Sequence, residues 1–189
     1  MESACILTIG CQNTHLIIYI SSKNMDFIAK SGQASKQRTT CLVLGIHTGR
    51  KLTPPAKDAD DVSGGHISHL LRRGDLEGSI GQSLILYDVP GIMADRIILI
   101  GCGKAGSISL EHYQRIVTHT IQTLNEKGPM DVTCYLPQLD IKGHNNTFAV
   151  RYFVENAHLA LYHFSPYKTL EKTTSRRPLK RVTLMVPSR

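Results

Sequence analysis

The stretch 95–129, DRIILIGCGKAGSISLEHYQRIVTHTIQTLNEKGP, decides the fold class. Residues 95–100 are a largely aliphatic, β-branched run of strand length. Gly101, Gly103 and Gly106 punctuate the turn that follows, and Ser109 offers a side-chain oxygen to cap a helix. Over 110–127 the inward positions Tyr113, Ile116, Val117, Thr120, Ile121 and Leu124 recur at helical spacing, until Gly128-Pro129 ends the run. A strand, a tight turn and a long one-faced helix form a βα unit, and such a helix needs a sheet to cover.

Working outward, TCLVLGI at 40–46 reads as a second buried strand. Segments 26–30, 82–89, 132–136 and 181–186 add four more, with Pro90-Gly91 turning 82–89 back toward 95–100. After Pro54-Pro55 a single helix is expected. Asp58, Asp60 and Asp61 suit its first turn, Ile67, Leu70 and Leu71 form its apolar side, and Arg72-Arg73-Gly74 ends it. A further helix starts at Asn145 or Asn146 and runs to about His163. The Ile-rich piece 14–20 admits a short strand, or else belongs to a leader over 1–24 without fixed order. The order β-β-α-β-β-α-β-α-β predicts an α/β fold of three layers, a mixed central sheet of about six strands flanked by helices. The expected organisation is a leader at 1–24, a folded body at 25–167, and a basic link plus last strand at 168–189.

Composition narrows the function. Apolar residues are 41% and charged residues 20% of 189, an ordinary globular balance with enough chain for one core. No apolar run approaches the about 18 residues of a membrane span, and no cationic region precedes an apolar block, so neither a membrane partner nor a secretory signal is expected. The five cysteines (Cys5, Cys11, Cys41, Cys102, Cys134) are odd in number and lack a CxxC pair, which suits free thiols in a reducing cytoplasm. Trp is absent and aromatics are 6%, which weakens any stacking platform for single-stranded nucleic acid. The net charge of +7 is localised: residues 168–189 hold seven Lys/Arg against Glu171, leaving the body nearly neutral.

Several candidate sites follow. Gly101-Cys102-Gly103-Lys104-Ala105-Gly106 has the G-x-G-x-x-G spacing of a phosphate loop. Against that, the helix begins only after Ser109, no acid closes the strand at 132–136, and the loop follows a late strand instead of the first. It reads as a tight strand-to-helix turn, with no cofactor-binding residue assigned. His66 and His69 stand at i, i+3 without complementary ligands, so no metal ligand is assigned. Cys102, near Lys104 and a helix start, is the best candidate nucleophile, yet no histidine is placed to serve it. The pairs Asp75/Glu77 and Asp60/Asp61 read as solvated acids rather than a general acid–base pair. No catalytic residue is assigned. The run Arg176-Arg177-Pro178-Leu179-Lys180-Arg181 makes Arg176, Arg177, Lys180 and Arg181 candidates for phosphate contacts on double-stranded DNA; a solvated, extended linker is the alternative.

Six stretches, in order and with few gaps, resemble the N-terminal domain of the bacterial leucyl aminopeptidases of the cytosol aminopeptidase family: SGQASKQRTTCLVLGI (31–46), ISHLLRRGDLEGSIGQSLIL (67–86), DRIILIGCGK (95–104), YQRIVTHTIQTLNEKG (113–128), IKGHNN (141–146) and SRRPLKRVTLMVPSR (175–189). LLRRGDLEG and RRPL are the most specific, and residues 1–24 depart from the family pattern. The resemblance implies a macro-domain-like fold and a role in hexamer assembly, with DNA binding in some bacterial members. It also implies a second, catalytic domain, which would hold two divalent metals (Zn or Mn) and hydrolyse N-terminal residues from peptides. That domain's signature Asn-Thr-Asp-Ala-Glu-Gly-Arg does not occur in these 189 residues, so no metal or catalytic residue is carried over, and the chain by itself is expected not to be an enzyme. The rival expectation is a macro-domain-like binder of ADP-ribose or a related nucleotide, with 101–106 over its phosphates.

Overall fold

The computed structural model describes residues 20–22, 25–164 and 179–187, with the backbone alone at 20–22 and 162–164. Five strands run parallel at its centre: β2 (Met25–Lys30), β8 (Arg181–Met185), β7 (Asp131–Cys134), β3 (Cys41–His47) and β6 (Arg96–Gly103). The edges are antiparallel, with β1 (Ile20–Ser22) on β2 and β5 (Ser83–Tyr87) on β6, while β4 (Lys51–Leu52) folds back onto β3. The sheet order is β1-β2-β8-β7-β3-β6-β5. Six strands match the expected six; β1 and β4, three and two residues long, lie below what periodicity can resolve.

β3, whose first six residues are all buried, lies at the middle because CLVLGI is apolar on both faces, as a strand covered by helices must be. On one face α3 (Leu110–Lys127) and α4 (Asn146–Phe164) pack Tyr113, Ile116, Val117, Phe153 and Ala157 against Val43, Ile98 and Val182. On the other, α1 (Pro54–Val62) and α2 (His66–Arg73) pack Ala56, Ala59, Ile67 and Leu71 against Leu42, Leu44, Ile97 and Leu99. These are the three layers. Truncating one of these buried leucines to alanine costs about 2–5 kcal/mol, so both faces contribute substantially to stability.

Two expectations are corrected. The single helix after Pro54-Pro55 is two, because Gly64 and Gly65 adopt φ of 68° and 81° and turn the chain between them. Since α1 starts at Pro54, its aspartates fall after the first turn. The glycine-rich loop starts later than expected, since Gly101, Cys102 and Gly103 are still strand β6. The helix at Ser109 is as read: the Ser109 Oγ accepts from the His112 N–H at 3.3 Å and Gly128 closes the far end in the left-handed conformation. α4 is capped by Asn145, whose Oδ1 accepts from the Phe148 N–H at 2.9 Å.

Candidate functional site

In an open sheet of parallel strands, ligands sit beyond the carboxyl ends where the strand order reverses. Here that point lies over β3: the chain leaves it toward β6 and returns through α3 to β7 on its other side. The space is packed with the protein's own side chains. A Cβ on Gly45 would meet Cys102 Sγ at 2.8 Å, Thr53 Cγ2 at 3.2 Å and Leu136 Cδ2 at 3.5 Å. Thr53 is buried, and its hydroxyl donates to the Gly45 carbonyl at 2.8 Å.

Two backbone donors of the glycine-rich stretch are occupied. The Gly103 N–H donates to the Gly78 carbonyl and the Gly101 N–H to the Gln82 carbonyl, both at 2.9 Å. The segment 78–82 therefore lies across the end of β6 so closely that a Cβ on Gly101 would overlap the Ser79 carbonyl oxygen. Beyond β6, Ile108 bridges to Ile141, and the Ser107 hydroxyl donates to the Asp140 carboxylate. At the start of α2, where free amides and the helix dipole would attract an anion, the chain supplies its own. The Asp60 carboxylate accepts from the Ser68 N–H at 2.9 Å and from the Ser68 hydroxyl. Asp60 is 7% exposed and not the solvated acid expected from its sequence setting. Gly64-Gly65 before HISHLL signalled a second helix start, but the capping acid stands upstream of that break, out of the usual N-cap place.

The remaining candidates disperse. Cys102 turns into the α3/α4 core, where burial pushes its thiol up to about 12, while Lys104 is exposed. Burial raises Cys41 and Cys134 to about 12 as well, so all three described thiols are poor nucleophiles at neutral pH. His66 is half-buried and His69 exposed, and no cluster of three His, Cys, Asp or Glu able to hold a metal occurs among the described residues. Among the described residues the donors therefore do not fit a pair of metal ions. Asp75 and Glu77 are exposed. His47 Nδ1 and His119 Nε2 are buried without hydrogen-bond partners among the described residues. A shallow hollow of about 240 Å³ remains at this end, lined by Thr48, Gly49, Arg50, Glu77 and Ser79.

Of the DNA candidates, Arg176 and Arg177 lie outside the described residues. Lys180 and Arg181 are exposed at the start of β8. Arg181 is in register with Asp26 of β2 and Asp131 of β7.

The architecture and its crevice define a macrodomain-like α/β domain. A macrodomain from Oceanobacillus iheyensis solved with ADPR is 11% identical and covers 89% of this chain and 89% of its own, with a TM-score of 0.60. A mutant of tomato leucine aminopeptidase is 15% identical at TM-score 0.62, covering 92% of this chain and 34% of that one. At such identities the likeness is one of fold. Sequence is more specific: the model of the cytosol aminopeptidase family, N-terminal domain, matches residues 43–171. A probable cytosol aminopeptidase of Aeromonas salmonicida is 45% identical over 165 residues, 87% of this chain and 33% of that protein. The chain belongs to the cytosol aminopeptidase family, as its N-terminal domain, and spans about a third of the length of the curated relatives it matches.

Proposed function

We propose that this chain is the non-catalytic N-terminal domain of a cytoplasmic leucyl aminopeptidase. The complete protein would remove N-terminal residues from peptides with two divalent ions, zinc or manganese, held by its catalytic domain. The observation that carries this reading is the match of the family's N-terminal domain to residues 43–171, and the amides at Gly101, Gly103 and Ser68 are bound by the chain itself. The thiols are buried and metal donors are dispersed among the described residues. On this reading the domain serves assembly of a hexamer, and double-stranded DNA is a second partner through Arg176, Arg177, Lys180 and Arg181.

The chain freed of contaminating peptidases is expected to leave leucine-p-nitroanilide intact in the presence of manganese. Turnover that follows the chain through purification refutes the non-catalytic assignment. The occupied amides speak against the nucleotide reading, so calorimetry with ADP-ribose should give no saturable heat. For DNA, Arg176→Ala with Arg177→Ala is expected to weaken duplex binding and flatten its salt dependence by about 0.9 in log–log slope per lost phosphate contact. An unchanged slope removes this segment from the interface.

A further inference from the structure

Two loops meet at the carboxyl end of β3: the turn 48–50, which leads into β4, and the segment 77–79, which follows α2. Between them lies the hollow of about 240 Å³ lined by Thr48, Gly49, Arg50, Glu77 and Ser79. Its walls are held in place. The Thr48 N–H donates to the Gly103 carbonyl at 2.8 Å, and a Cβ on Gly78 would overlap the His47 carbonyl oxygen. Arg50 adopts φ of 61°, in the left-handed region that non-glycine residues rarely enter and that recurs at ligand clamps. Its Nη1 donates to the Arg72 carbonyl at 3.3 Å, which anchors the side chain at the end of α2. The rest of the guanidinium, the Glu77 carboxylate and the hydroxyls of Thr48 and Ser79 have no protein partner among the described residues. His47 Nδ1, in the residue before the turn, is buried and likewise unpaired.

We propose that this hollow binds a small zwitterionic α-amino acid, its carboxylate on Arg50 and its ammonium on Glu77. Arg50 and Glu77 line one small space, are both exposed to an incoming ligand, and form no ion pair with each other. A free phosphate would bring negative charge against Glu77, and a simple cation would meet Arg50. A molecule carrying both charges a few bonds apart complements the two side chains at once. The volume lies below the roughly 300–1,000 Å³ of sites for drug-sized ligands, which limits the occupant to a small molecule. No aliphatic or aromatic residue lines the hollow, whereas two hydroxyl residues do, so the ligand's own side chain is short and polar. The position agrees, since the hollow stands beyond β3, where the strand order reverses.

Calorimetric titration of the whole chain with L-serine across the millimolar range tests this, independently of the aminopeptidase reading. Saturable heat is expected. Serinamide, which lacks the carboxylate, and N-acetylserine, which lacks the ammonium, should each bind at least about tenfold more weakly. Glu77→Gln should weaken serine by a similar factor and leave N-acetylserine unchanged, because that compound has no ammonium to lose. Arg50→Asn, a residue that tolerates the left-handed region, should in the same way weaken serine and spare serinamide. Circular dichroism melts should show both variants folded, and if Arg50→Asn fails to fold, Glu77→Gln carries the test. Absence of saturable heat with serine, serine binding unmoved by Glu77→Gln, or inorganic phosphate binding as tightly as serine overturns the proposal.

Discussion

The carboxyl ends of the strands and the β5 edge treat their backbone groups in opposite ways. At the first, the amides of Gly101 and Gly103 are bound by 78–82, and that of Ser68 at the α2 start by Asp60. At the second, no strand among the described residues pairs with the outward N–H and C=O groups of Ser83, Ile85 and Tyr87. A group satisfied inside the protein contributes stability, and only an unsatisfied one is available for binding.

Substitutions can break that contrast. The largest effect is expected from Gly101→Ala, whose methyl would overlap the Ser79 carbonyl and force 78–82 off β6. A loss of about 3 kcal/mol or more in urea unfolding is predicted, and a near-neutral result would mean that this segment does not close the crevice. Asp60→Ala removes the anion at α2 and leaves the Ser68 N–H without its partner. It should cost about 2 kcal/mol. It also gives the sharper readout: a variant that gains phosphate or ADP-ribose binding would show that Asp60 is what holds the site shut.

The smallest effect is on pH dependence. Desolvation lowers the pKa of His119 and His158, so the unfolded chain takes up protons near the ordinary histidine value while the folded chain does not. Stability from these two is present above about pH 6.5, declines as pH falls through that value, and levels off below the depressed folded pKa values. The thermal midpoint should drop between pH 7.5 and 5.5, and by less in His119→Gln with His158→Gln. Equal drops in both proteins would remove the histidines as the cause.

Much of the fold was legible because it rests on local rules. Ser109, Gly128 and the 3.6-residue pattern between them set α3; Gly74 ended α2, and CLVLGI marked a strand covered on both faces. The misreadings lie where two local signals compete. The aspartates at 58–61 suggested a helix start, yet Pro54 had already begun one, and Gly64-Gly65 ended it. Gly101 and Gly103 looked like loop because glycine suits loops, but they lie in a strand whose neighbouring chain leaves no room for a side chain at Gly101.

The site was far less legible. The weak standing of 101–106 as a phosphate loop could be argued from spacing, but its occupation by 78–82 could not, because that contact joins segments about 20 residues apart. The role of Asp60 was hidden because a carboxylate's environment depends on what packs over it. By itself, the sequence determined α3, α4, the main strands and the family, since periodicity, caps and motifs are properties of neighbouring residues. Only the tertiary structure decided which strand lies at the edge, which amides are spent and which acid is buried. Those follow from strand order and close packing, which bring together groups that the chain keeps apart.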